Sequence, residues 1–279
     1  MIPSCGWHTT VVLENLFNLH QTCLDIVHPL YNPKNGQMRI AGLMSGSGSN
    51  LRKILEKEKE LERDRGASPY RVAVIFSDAI DSNAVEIGKA YGIPVVINDI
   101  REFYKARGKP RGDMQVRAEY DLKTVSLLSP FGISVAAYAG YMSIATAPLV
   151  DAFLGVNVHP ADLSVLENGS RKYVGDHAVL DCLRVGEKEL RSSTHIIENE
   201  VDGGRLLMIS APVKVEQEVI PELFDEFAQT YQARLKEKGD WVIFPETLLH
   251  LAEGRYAADE TGLLHFDGKP IPYGVRLDE

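Results

Sequence analysis

Three short motifs carry side chains whose types and spacing suit catalysis. Asn157-Val158-His159-Pro160 follows a strand-like run, and residues two apart on an extended segment project to the same side. An amide donor beside an imidazole can hold an oxyanion and exchange a proton, although an isolated Asn-x-His pair is more often structural. Ser45-Gly46-Ser47-Gly48-Ser49-Asn50 lies between a strand signal and a helix signal. Its glycines let backbone N–H groups approach an anion, and the dipole of the following helix adds to the attraction. A P-loop would need Gly-Lys-Ser/Thr, but Gly48 is followed by Ser49 and Asn50. A dinucleotide fingerprint wants a third glycine where Leu51 stands. A phosphate monoester site and a plain tight turn remain. Asp202 precedes Gly203 and Gly204, either as a working carboxylate or as a turn residue capping its own backbone. His177 and His195 could also be functional, with a satisfied core or surface histidine as the default reading of each. No metal-ligand spacing such as HExxH occurs, so no catalytic metal is expected.

These motifs need rigid elements to position them. Met38–Met44 reads as a strand running into the Gly/Ser loop, followed by a charged helix from about Leu51 to Arg63. Arg71–Ser77, Pro94–Ile97 and Ile133–Ala139 read as further strands, with helices over Asn83–Tyr91 and Met114–Leu128 between them. Strands alternating with helices imply βαβ units and a parallel sheet. After Val156 the pattern changes. Ser193–Glu198 and Arg205–Ser210 flank the Asp202-Gly203-Gly204 turn, which suggests antiparallel pairing. A helix over about Pro221–Lys238 and another over Phe244–Ala252 follow, and Asp267-Gly268 marks a closing hairpin. Residues 1–37 read as an appendage, its apolar stripe from Val12 to Val27 suggesting a helix packed on the main domain or on a second subunit. The domain proper is expected over residues 38–279.

Composition narrows the class. Of 279 residues 44% are hydrophobic and 25% charged, the balance of a soluble globular protein. A net charge of −9 argues against nucleic-acid and anionic-membrane partners, which select basic faces. Cys5, Cys23 and Cys182 are widely separated, which suits a reducing compartment and no disulfide framework. With no apolar run near ~20 residues and no signal-peptide pattern at the start, a cytoplasmic protein is expected.

The motifs in their order, with Ala139-Gly140-Tyr141-Met142 and the closing Phe266-Asp267-Gly268-Lys269-Pro270-Ile271-Pro272, resemble the glycinamide ribonucleotide formyltransferase family from about Met38 to the C-terminus. The resemblance implies a Rossmann-like α/β formyltransferase fold, a mostly parallel sheet flanked by helices with an antiparallel C-terminal part. It also implies formyl transfer from 10-formyltetrahydrofolate to an amine in purine synthesis, without a metal. By position it makes Asn157, His159 and Asp202 catalytic, and assigns the substrate phosphate to Gly48, Ser49 and Asn50 with Arg117 as a second contact. Met142 and Ile144 fall where substrate and pteridine meet, Ser143 lies beside the folate pocket, and the backbone of Asn199, Glu200 and Val201 lies against the folate head. Asp240 falls near the substrate amine. Small-molecule amine and folate are thus the implied partners, and homodimerisation is left open.

Several positions depart from the family pattern. Ala161-Asp162-Leu163-Ser164 replaces Ser-Leu-Leu-Pro after Pro160, Val165–Arg171 lengthens the following loop, Ser143 stands for an arginine and Asp240 for a glutamate. The long loop reads as a polar surface lid that selects the acceptor, or as a harmless insertion. Formyltetrahydrofolate hydrolase, sugar-amine formyltransferase and a catalytically silent ligand-binding paralogue are the alternatives. A tRNA formyltransferase is disfavoured, because residues 256–279 leave no room for an RNA-binding domain and the chain is acidic.

Overall fold

A computed structural model describes residues 27–216 and 221–277; the helix expected over Val12–Val27 therefore lies almost wholly outside the described residues. The central sheet has eight strands: β1 (Met38–Met44), β2 (Tyr70–Ser77), β3 (Val95–Ile97), β4 (Val135–Tyr138), β5 (Leu154–His159), β6 (Ser193–Ile196), β7 (Leu206–Ile209) and β8 (Val275–Arg276). Their spatial order is β8-β7-β6-β5-β4-β1-β2-β3. β6 alone runs against its neighbours; the other pairings are parallel. The expected mostly parallel sheet with an antiparallel C-terminal part is thus present, and its reversal is one strand wide. The hairpin at Asp267-Gly268 forms as well, both residues at positive φ (50° and 75°) as a two-residue turn of this hand requires. It belongs to a separate small sheet, to which residues 28–29 also add by pairing with Ala258 and Ala257.

The helices are α1 (Ser49–Arg65), α2 (Ala84–Tyr91), α3 (Ile100–Lys105), α4 (Met114–Leu128), α5 (Ala147–Ala152), α6 (Ala178–Arg184), α7 (Phe224–Leu235) and α8 (Trp241–Ala252). They cover both faces, which is why the inner strands read as continuous apolar runs. On one face Met38, Ile40 and Met44 meet Leu51, Ile54 and Leu55 of α1 and Ile243, Phe244 and Leu248 of α8. On the other, Ala41 and Leu43 meet Phe103 of α3 and Val116, Tyr120 and Leu128 of α4. Gly42 lets α1 approach closely, since a Cβ there would sit 2.4 Å from Leu51 Cδ1. The helices expected over 221–238 and 244–252 join through a single π-helical turn, Lys236–Asp240. Pro245 inside α8 has no N–H to return to the Trp241 carbonyl, which loosens the ladder where α7 passes into α8.

No helix among the described residues is long and apolar enough to cross a membrane. Leu51 is fully buried over Gly42, so Leu51→Ala should cost about 2–5 kcal/mol of stability. Urea denaturation at constant pH measures this, and a loss well under 1 kcal/mol would mean that α1 repacks freely on the sheet.

Candidate active site

The carboxyl ends of β1, β2, β4 and β5 open into loops on one edge of the sheet, the place where open α/β sheets bind ligands. Two of these loops are tied together: Ser45 N donates to Gly140 O at 3.0 Å, and Met142 N donates to the Ser45 hydroxyl at 2.9 Å.

β5 ends in Asn157 and His159, which project to the same side as expected. Across the antiparallel ladder Asn157 pairs with His195 and His159 with Ser193. The chain leaves β6 through the 200–204 turn and brings Asp202 back over both imidazoles. Asp202 Oδ2 lies 3.4 Å from His159 Nδ1, and Oδ1 lies 3.5 Å from His195 Nε2. Gly175 N–H donates to Oδ2 at 2.8 Å.

The remaining ring contacts define the proton positions, because a carbonyl only accepts. His159 Nε2–H donates to Tyr173 O at 2.9 Å, and His195 Nδ1–H donates to Ile196 O at 2.9 Å. His195 Nε2 is then left to accept from the Asn157 amide, 3.2 Å away. One N–H of Asn157 is committed to His195, and its second is free to donate elsewhere. The same carboxylate therefore faces the one open nitrogen on each ring.

Charge follows burial and pairing. Burial opposes ionisation of Asp202, but His195, the field of His159 and the Gly175 N–H outweigh it and bring the pKa down to about 2. Burial dominates at His159 and holds its pKa below the ordinary histidine value despite Asp202. The Gly175 N–H stabilises the Asp202 anion whatever the rings carry, so an ionised Asp202 facing a neutral His159 is the resting state at neutral pH. The His159 ring is thus neutral and able to accept a proton.

The Gly/Ser loop prepares an anion site. Gly48 sits at the N-cap of α1 with φ 68°, no side chain caps the helix start, and no acidic residue occupies its first turn. The free N–H groups of Ser49, Asn50 and Leu51 face outward from a positive helix end. Asp240 arrives at this loop on the π-helical turn. Gly239 packs so closely on Ser192 that a Cβ would lie 2.5 Å from its Oγ. Burial raises the Asp240 pKa, and the adjacent Ser192 and Asn50 side chains oppose that rise. Asp240 Oδ1 and Asn50 Oδ1 are both buried and have no hydrogen-bond donor.

Met142, Ile144 and Val201 are exposed apolar side chains on the edge loops, with Asn199 and Glu200 exposed beside Val201. The Ser143 hydroxyl donates to Asp78 Oδ2 at 2.5 Å. Arg117 is not brought to the Gly48-Ser49-Asn50 loop. It lies on the opposite face of the sheet in α4, buried, with Nη2 3.2 Å from the Tyr141 hydroxyl and 3.4 Å from Asp121 Oδ1. The i, i+4 pairing with Asp121 on the buried side of α4 holds it there. His177 stands exposed at the start of α6, as its default reading had it. His195, whose default reading was structural and whose functional reading was left open, is brought by the structure against Asn157 and Asp202.

The chain matches the family model described as formyl transferase over residues 38–248. It belongs to the formyl transferase family. It is 25% identical over 236 residues to the phosphoribosylglycinamide formyltransferase of Haemophilus influenzae, covering 84% of this chain and 96% of that protein. The Escherichia coli phosphoribosylglycinamide formyltransferase is 26% identical over 245 residues, 87% of this chain and 100% of its own. Among solved structures, glycinamide ribonucleotide transformylase 1 from Symbiobacterium toebii superposes with a TM-score of 0.62 at 25% identity, over 82% of this chain and 94% of that one.

A depressed His159 pKa has a definite sign in the stability of the fold. As pH falls below about 6.5 the unfolded chain takes up this proton first, so the folded state loses stability from there downward and keeps it in full above. His159→Gln should flatten the fall in urea midpoint between about pH 7.5 and 5. An unchanged slope would mean that burial does not hold the ring neutral.

Proposed function

We propose that this chain transfers the formyl group of 10-formyltetrahydrofolate to the primary amine of glycinamide ribonucleotide, or of a closely similar phosphorylated amine, in purine biosynthesis. The observation that carries the reading is the convergence of His159 and His195 on one buried Asp202 at the edge of the sheet, with the Asn157 amide against His195. The activity in the names of the H. influenzae and E. coli relatives agrees with it.

The amine attacks the formyl carbon and the carbonyl oxygen becomes an oxyanion. The second N–H of Asn157, its orientation set by His195, donates to that oxygen. The proton leaving the attacking nitrogen passes to neutral His159, directly or through a water. The imidazolium so formed is paired with Asp202, which offsets the cost of charging a buried ring. Collapse of the tetrahedral intermediate breaks the bond to the folate nitrogen, and the same proton goes to that nitrogen. Protons and charge balance, no covalent enzyme intermediate is formed, and the reaction calls for no metal.

The uncapped start of α1 supports a phosphate on the acceptor, held by Gly48, Ser49 and Asn50. The unpartnered oxygens of Asp240 and Asn50 support an amine beside it. The exposed Met142, Ile144 and Val201 offer apolar surface for a planar pteridine, with the Asn199–Val201 backbone at its polar edge. A hydrolase would use water as acceptor and explains neither the helix start nor the two unpartnered oxygens.

Asp202→Asn and His159→Ala should each lower turnover at least ~100-fold with the fold intact. Release of tetrahydrofolate, followed by absorbance with glycinamide ribonucleotide as acceptor, measures this; near-native rates in both would remove the mechanism. Inorganic phosphate should compete with the acceptor and not with the folate, and Asp240→Asn should raise the acceptor KM about 10-fold. Competition of phosphate with the folate alone would overturn the placement of the acceptor.

A further inference from the structure

The segment between His159 and α6 is more ordered than a polar surface loop. Ala161 and Leu163 are buried, and the Ser193 hydroxyl donates to Ala161 O at 2.7 Å while accepting from Leu163 N at 3.0 Å. Leu166–Glu167 and Ser170–Arg171 then form a two-stranded hairpin. Its turn residues Asn168 and Gly169 both have positive φ, 52° and 82°, the conformation an Asn-Gly pair favours. Lys172 N closes the base onto Val165 O at 3.0 Å. The polar loop after Pro160 thus has an exposed hairpin at 166–171, whose last residue reaches back to the 202–204 turn.

That residue is Arg171. Its Nη1 donates to the backbone carbonyl of Asp202, and its Nη2 to the carbonyl of Gly204 at 2.6 Å. The turn it holds is a demanding one. Asp202 has φ 52°, in the left-handed region that residues with a side chain adopt uncommonly. A Cβ on Gly204 would lie 1.8 Å from Ile196 O, so the turn is pressed hard against the end of β6. Five N–H donors in one plane suit a guanidinium to bridge two carbonyls of a single turn, which an ammonium does less well.

We propose that Arg171 is a positioning residue, its guanidinium clamping the 202–204 turn so that the Asp202 carboxylate stays between His159 and His195. The hairpin, placed by the sequence as a departure from the family, thus supplies part of the support for the reaction centre. The guanidinium also disfavours a proton on His159, in keeping with a resting neutral ring. The kinetic arm of this assignment rests on the formyl-transfer reading; its spectroscopic arm does not.

Arg171→Met should lower kcat at least about 10-fold with the folate KM changed less than about twofold, and Arg171→Lys should recover part of the rate. In an Asp202→Asn background, Arg171→Met should cost less than about twofold more, because the clamp then has no carboxylate to aim. Nitrogen-edited NMR of the histidine rings should show His159 titrating at higher pH in Arg171→Met, and the acid limb of kcat/KM should move the same way. Where the methionine variant fails to fold, Arg171→Lys is the variant scored, with a smaller loss that again vanishes in the Asp202→Asn background. Losses that multiply across the two positions, or a native rate with an unmoved His159 titration, overturn the assignment. Wild-type protein inert toward every amine would sink the formyl-transfer reading, and the His159 titration would still decide for or against Arg171.

Discussion

A carboxylate taken out of water and kept ionised is the constraint around which this site is organised. Asp202 is almost wholly buried and its pKa is still held down to about 2. A charge in that position is tolerated only when opposite charge or donors surround it. Here four separate stretches of chain meet it. The Gly175 N–H donates to the carboxylate, His159 of β5 and His195 of β6 flank it as rings that can take up a proton, and Arg171 holds the backbone beneath. Removing any of these leaves the carboxylate short of partners. The site is therefore a small buried network with high stakes for each member.

The sheet separates two groups of candidate site residues. The Gly/Ser loop and Asp240 come from helices packed on one face, α1 and the turn between α7 and α8. The Asn157, His159 and His195 side chains project from the sheet edge on the opposite side, over which Asp202 folds back. The exposed Met142 and Ile144 lie on the loop between, tied to Ser45 by hydrogen bonds. Rigid packing below the edge keeps these loops in register, and that fixed geometry lowers a barrier by orientation.

Positions with unusual backbone gather at this edge. Gly48 and Asp202 both carry positive φ, and a π-helical turn delivers Asp240. Such features are costly, and they persist where the surrounding structure over-determines them. Gly239 against Ser192 and Gly204 against Ile196 O show how: neither position has room for a Cβ. The departures from the family read alike. Ser143 binds Asp78, and the lengthened loop turns inward through Arg171.

Much of this was legible in the residues alone. Apolar runs and their alternation with helix signals determined the parallel sheet, since a strand buried on both faces must be apolar throughout. Asp267-Gly268 determined its hairpin, because few residue pairs accept two positive φ angles. Asn157, His159 and Asp202 stood out as candidates for their residue types and spacing and, by position, through the family resemblance, and the structure brings His159 and Asp202 to 3.4 Å. Three things only the tertiary structure decided. Arg117 was read toward the phosphate, and its i, i+4 partner Asp121 drew it into the opposite core. His195 was structural by default, and its role came from facing Asn157 across a ladder 38 positions away in the chain. The loop after Pro160 read as surface, and Arg171 proved to bind carbonyls 31 and 33 positions on. Local propensity carries no information about contacts at such separations; they are settled when burial of both faces fixes which strands and loops lie side by side.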